Sequence, residues 1–232
     1  MNSDQFALGV VWYVVFLLST TCHEAAHALL AKLGGDPTAA HGGQVSLDPL
    51  PHIRREPFGM VIFPWLSYIA GGWMMGWASA PYDPQWSHRY PHRAARMALA
   101  GPGANLALAI LAAILIRVGM ALGAFHPPES IGFAHIVQAA SDGFPEAAAS
   151  ILSILFSLNI LLAAFNVLPI PPLDGWSAAG LLMPESGARK LEEMGHRMGA
   201  FSIIGLLIAW QVFGGLYVHV WEFALRALYG LL

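Results

Sequence analysis

Charged residues are scarce in this 232-residue chain, where Asp, Glu, Lys and Arg make up 11% against 56% hydrophobic. Soluble domains usually carry about 25% charged residues, so the composition excludes an ordinary water-facing globule and points to a membrane class. Cysteine is nearly absent. Cys22 stands alone, which excludes an intrachain disulfide and leaves the redox compartment unspecified. A basic block is missing too, and the formal charge of -3 is diluted over loops. Nucleic acid is therefore not an expected partner. No internal repeat of the kind many secondary transporters carry is found, and no loop is long enough to hide a soluble accessory domain. The chain reads as a single membrane domain over residues 1–232.

Long apolar runs supply what the composition promises: Phe6 to Ala31, Phe58 to Ala80, Met97 to Ile116, Ala147 to Leu168 and Ala200 to Val218. Each is close to the roughly 20 residues that cross a bilayer as helix. With a short sixth run from Val220 to Leu232, the expected fold is an all-α polytopic membrane protein of five to six transmembrane helices. The first run lacks a basic start and is not expected to be a cleaved signal. In the loop Leu33 to Pro57, Gly42-Gly43 followed by alternating Gln44 to Leu47 predicts a turn and a short strand, hence a short β-hairpin. Gly76 to Pro91 suits an irregular, aromatic interfacial segment, and Gly123 to Gly143 a loop with one short helix near the membrane surface.

Orientation stays open at this level. Lys32, Arg54 and Arg55 follow the first run, while Arg89, Arg93 and Arg96 follow the second. If the second run crosses fully, the positive-inside rule sets these two basic groups against each other. Pro64 and Gly71-Gly72 allow that run to bend or re-enter.

His23-Glu24-Ala25-Ala26-His27 has the form HExxH. On a helix, histidines four residues apart share a face and can meet one zinc ion. Glu24, beside the first of them, can take a proton from a water whose pKa the metal has lowered. Ionisable side chains in a membrane span cost about 3 kcal/mol each on insertion scales, and three within five residues argue for chemistry over helix-helix bonding. A catalytic zinc site commonly uses three protein ligands and keeps a position open. Asp174 is the best candidate for the third, in a stretch running from Asn166 to Gly175 that carries Pro169, Pro171 and Pro172. Alone, Asp174 reads equally well as a turn or N-cap residue; paired with HExxH, the ligand reading prevails.

These motifs together resemble the site-2 protease family of intramembrane metalloproteases: HExxH in an apolar helix, NxxPxxPLDG from Asn166 to Gly175, and Ala100-Gly101-Pro102-Gly103-Ala104-Asn105, which is similar to the family's AGPxxN stretch. The segment Gly76-Trp77-Ala78 with Pro81 is similar as well. The tail beyond Pro184 adds nothing diagnostic. The resemblance implies one zinc held by His23, His27 and Asp174, Glu24 as catalytic base, and Asn166 as a nearby polar group for the oxyanion or substrate backbone, with bonding between spans as its rival role. It implies a substrate that is a membrane protein with a transmembrane segment, unwound locally before cleavage.

No PDZ or CBS domain is found, so substrate choice is expected from the membrane core, the loops, or a separate adaptor; self-association is left open. The Gln44 to Leu47 strand is a candidate clamp for the unwound peptide, and His52 is a loop residue that could approach the site. His88 and His92 are read as interfacial, because Pro91 lies between them. Glycines such as Gly71-Gly72, Gly101, Gly103 and Gly214-Gly215 are expected at close helix contacts. A prokaryotic plasma membrane is the expected location. A membrane metal transporter, a catalytically inactive scaffold of the same fold and a metal-dependent hydrolase of another substrate remain alternatives. Transport would need a continuous polar path, and outside the cluster Asn105 and Gln211 are the chief polar residues of the third and fifth runs.

Overall fold

The computed structural model describes residues 2–230, apart from the side chain at position 200. Helix α1 (Ser3–Leu33) opens with a capping box in which Asn2 Oδ1 accepts from Gln5 N at 2.8 Å and Asn2 N donates to Gln5 Oε1 at 3.1 Å. Those reciprocal bonds satisfy orphan donors at the start of a helix otherwise built from apolar residues. Short helices α2 (Thr38–His41) and α3 (Leu50–Arg55) follow, then α4 (Phe58–Gly71), a π-helical turn running into α-helix. After α5 (Pro84–Arg89) come α6 (Pro91–Ala121), α7 (Phe144–Asn166), α8 (Asp174–Ala178), α9 (Glu185–Arg197) and α10 (Ser202–Tyr229). Four of these, α1, α6, α7 and α10, are long and apolar enough to cross a membrane.

The expected count of five to six spans is thus not met among the described residues. The second run, Phe58 to Ala80, makes only the short helix α4, which stops where Gly72 takes up φ +77°. Beyond it the chain turns back: Met75 N is bonded to Ser67 Oγ at 2.9 Å and Trp77 N to Gly59 O at 3.2 Å. Glycine makes the return path available, since a Cβ on Gly76 would strike the Gly59 carbonyl and the Phe16 ring. The fifth and sixth runs merge into the single helix α10, up to the described limit.

The first loop contains no strand. Gln44 to Leu47 is irregular because Gln44 is buried and bonds sideways, its Nε2 donating to Ser79 O at 2.8 Å. A two-stranded antiparallel sheet lies elsewhere, β1 (Phe125–His126) with β2 (Gln138–Ala139), in the loop where a short helix was expected. The loop between them is pinned from α7, whose Ser153 Oγ accepts from Ile136 N at 3.0 Å. Helices α1, α6 and α7 enclose the largest core, with Trp12, Phe16, Ile116, Ile154 and Leu158 among its buried side chains. Helix α10 is the least enclosed: only Ala209, Phe213, Ala224 and Leu228 are buried, and Gly214 and Gly215 meet open space, contrary to the close contact expected there.

Both basic groups lie at one end of the molecule. Arg93 Nη1 donates to Gly34 O, at the end of α1, at 3.0 Å, and Arg55 Nε donates to Ser79 Oγ at 3.1 Å. Helix α9 joins the same end, with His92 Nε2 bonded to Met183 O at 3.0 Å and Arg189 Nε donating to His88 O at 3.1 Å. At the opposite end Tyr68 Oη donates to Gln5 O and Arg117 Nη1 to Leu228 O.

Candidate metal centre

Helix α1 carries His23, Glu24 and His27 into the interior, with exposures of 8%, 6% and 6%. The helical period places the two imidazoles one turn apart on one face, and their Nε2 atoms stand 3.0 Å apart. Helix α8 delivers Asp174 at its first residue, with Oδ2 3.1 Å from His23 Nε2 and 3.3 Å from His27 Nε2. The three atoms form a nearly equilateral triangle. Edges of about 3.3 Å are what three ligands would span around one tetrahedral zinc at about 2.0–2.1 Å.

Hydrogen bonding on the far side of each ring selects the tautomer. His27 Nδ1 lies 2.8 Å from the Met97 carbonyl and so must donate to it. His23 Nδ1 lies 2.6 Å from Asn105 Oδ1. The Asn105 amide is oriented by its own partners, since Nδ2 donates to Asn159 Oδ1 at 2.8 Å and to Ser19 O at 3.3 Å, leaving Oδ1 as the acceptor for His23. Asn159 Nδ2 in turn donates to Ser19 Oγ at 2.9 Å and Leu155 O at 2.8 Å. With both Nδ1 atoms protonated, both Nε2 atoms present lone pairs to each other and to a carboxylate oxygen. Asp174 Oδ2 is enclosed and has no hydrogen-bond donor. Three acceptors crowded together repel one another unless a proton or a metal cation lies among them, and the donor set of two imidazoles and one carboxylate at this spacing fits a zinc ion.

Helix α6 can cross directly over this cluster because position 101 has no side chain. A Cβ there would run into Nε2 of both His23 and His27. On the other side Gly175 lets α8 dock on the end of α7, where a Cβ would overlap the Val167 and Leu168 carbonyls. Glu24 has no hydrogen-bond partner among the described residues and remains uncommitted.

The structure therefore brings His23, His27 and Asp174 together, with Glu24 adjacent in the chain. Asn166 is not joined to them: it ends α7, half-buried, with Nδ2 donating to Leu162 O at 3.0 Å one turn back. His52 is fully buried but turns away, bonding Ser46 O at 3.2 Å and approaching Gln44 Nε2 at 3.4 Å. His88 goes to Glu193 at 2.9 Å. The support formed by Ser19, Asn105 and Asn159 escaped the sequence reading. Asn105 and Asn159 are each visible there as isolated polar residues in apolar runs, but nothing in the linear order pairs residues 54 positions apart.

The sequence profile of peptidase family M50 matches residues 11–209. YwhC of Bacillus subtilis (strain 168) is 31% identical over 81% of this chain and 77% of its own. Rip2 of Mycolicibacterium smegmatis is 31% identical over 74% of this chain and 57% of its own, and Rip2 of Mycobacterium tuberculosis (strain H37Rv) 30% identical over 70% and 53%. All are named provisionally as zinc metalloproteases. The chain spans little more than half the length of the Rip2 proteins. No solved structure gives a significant match.

Proposed function

The chain belongs to peptidase family M50, the site-2 protease family of integral membrane metalloproteases, and from that premise we propose that it hydrolyses peptide bonds within or next to transmembrane segments of membrane-protein substrates. The observation that carries this reading is the closed triangle of His23 Nε2, His27 Nε2 and Asp174 Oδ2, buried beside an uncommitted Glu24 inside an apolar helix bundle.

One zinc per chain would be held by His23, His27 and Asp174, supplying Lewis acidity that polarises a carbonyl and lowers the pKa of water. The protein's own residues do the rest. Asn105 and the Met97 carbonyl hold both imidazoles in the tautomer that offers Nε2. Glu24 takes a proton from the attacking water and later gives it to the departing amine. Asn166 stands eight residues before Asp174 and, by rotating off the Leu162 carbonyl, offers its amide to the substrate backbone or the oxyanion. A transmembrane helix has its carbonyls bonded internally, so the substrate unwinds locally before attack. Substrate choice then rests with the bundle, its loops, or an adaptor.

The distribution of basic residues supports one arrangement across the membrane. With α4 doubling back, Lys32, Arg54, Arg55, Arg89, Arg93, Arg96, Arg189, Lys190 and Arg197 share one end, leaving Arg117 and Arg226 at the other. By the positive-inside rule that end faces the cytoplasm of a prokaryotic plasma membrane, with α1, α6, α7 and α10 crossing it.

The test is zinc content and cleavage of single-span substrates by detergent-purified protein. Wild type should hold stoichiometric zinc and cleave. Glu24→Gln should keep the metal and lose cleavage, and Asp174→Ala should bind zinc weakly. Undiminished cleavage by Glu24→Gln would overturn the mechanism, and metal flux in liposomes would then be the measurement to make.

A further inference from the structure

Helix α9, whose sequence carries no family motif, reaches into the support of the metal centre through one buried acid. Glu192 is 7% exposed, and its two carboxylate oxygens serve two different elements. Oε2 accepts from Ser177 Oγ at 3.0 Å, and Oε1 accepts from Tyr82 Oη at 3.0 Å. Ser177 lies in α8, one turn beyond Asp174; Tyr82 lies in the irregular returning segment between α4 and α5. A neighbouring bond reinforces the first contact, with Trp176 Nε1 donating to Leu191 O at 3.1 Å. On its solvent side His196 Nε2 stands 3.6 Å from Oε1.

Helix α8 has five residues. A helix that short has no stability of its own, so its packing on α6 and α7 and the hydrogen bonds it receives from outside set the direction in which its first residue points. A buried carboxylate is a costly way merely to fill space, because burial of a charge is repaid only through its hydrogen bonds. Glu192 has donors for both oxygens, and one comes from the element that presents Asp174. Burial, with the Glu192 carboxylate beside it, pushes the Tyr82 hydroxyl above its usual range, which keeps it a donor.

We propose that Glu192 is a positioning residue for the metal site: by holding Ser177 it sets the roll of α8, and with it the placement of Asp174 Oδ2, while its second oxygen locks the returning segment to the same point through Tyr82. The inference rests on the metalloprotease reading of the site. Outer partners of metal ligands typically contribute about 10–100-fold in metal affinity, and an effect in that range is expected here.

The experiment is competition for zinc between a chelator and the full-length, detergent-purified chain, with thermal unfolding of the zinc-loaded protein measured in parallel. Ser177→Ala and Glu192→Ala should each bind zinc about tenfold or more weakly. Glu192→Gln, which keeps an oxygen acceptor, should recover most of that loss. The double variant Ser177→Ala with Glu192→Ala should be little worse than Glu192→Ala alone, because Ser177 acts through its bond to Glu192. Wild-type zinc affinity in both single variants, or losses that simply add, would overturn the proposal. Ser177→Ala removes only a hydroxyl and keeps the test sound if Glu192→Ala folds poorly. A wild type that holds zinc without cleaving peptides defeats the protease reading while leaving this series decisive; a wild type that binds no zinc defeats both.

Discussion

His23 Nδ1 and Asn105 Oδ1 are 2.6 Å apart, joining α1 to α6 through residues 82 positions apart in the chain. Because the Asn105 amide nitrogen is already committed to Asn159 and Ser19, the contact runs one way, and His23 is left to offer Nε2. Asn105→Ala should therefore weaken zinc binding by about 10–100-fold. Chelator competition on the purified variant measures it, and unchanged affinity would mean that the ring is held by packing alone.

Two glycines two residues apart on α6 predict opposite outcomes. Gly101→Ala places a methyl against both ligand nitrogens and should abolish zinc binding and cleavage together. Gly103 meets open space, so Gly103→Ala should keep both and gain up to about 1 kcal/mol of helix propensity. Zinc content and melting temperature of the pair test the crossing of α6 over the site.

The shared basic end predicts a topology that can be read by labelling. Single cysteines at Ser46 and Gly187, in a Cys22→Ala background, should be protected from a membrane-impermeant thiol reagent in intact cells, whereas one at Glu129 should react. Labelling at Ser46 but not Gly187 would mean that α4 and the segment after it cross the membrane after all.

Asp36 ties the corner after α1 to the start of α5. Burial pushes its carboxyl up, but hydrogen bonds from Thr38 Oγ1 at 2.5 Å, Asp83 N at 2.8 Å and Thr38 N at 3.0 Å outweigh it and hold the carboxyl below its usual range. A folded value below the unfolded one of about 3.9 means that the ionised form contributes stability at neutral pH, and that this contribution is lost as pH falls below about 4. The stability advantage of wild type over Asp36→Asn should be constant from pH 7 to 5 and shrink below 4. Melting temperatures across that range decide it.

Much of the centre was legible in the linear chain because metal ligation leaves a local signature. Two histidines at helical spacing must share a face whatever surrounds them, and acidic or imidazole groups in an apolar run are too costly to be incidental. That reasoning reached His23, Glu24 and His27 directly, and Asp174 through the proline-rich stretch around it. It stopped where the contact depended on two elements meeting. Asn105 and Asn159 are single amides in different runs, and Glu192 sits in a polar helix that resembles any other amphipathic surface segment.

Hydropathy alone also could not distinguish a crossing helix from an arm that turns back. The run Phe58 to Ala80 is apolar throughout, yet the left-handed turn at Gly72 and the close approach of Gly76 to Gly59 halve its helix. For the same reason Gln44 to Leu47 alternates like a strand without becoming one, since its side-chain amide finds a better partner in the returning segment. By itself the sequence determined the membrane character of the chain, its candidate ligand types and their spacing within a helix, because composition and local periodicity act within one element. Which apolar runs form helices long enough to cross, which tautomer each histidine adopts and what steadies Asp174 were decided only by the tertiary structure, because each depends on contacts between segments that meet nowhere but in the folded chain.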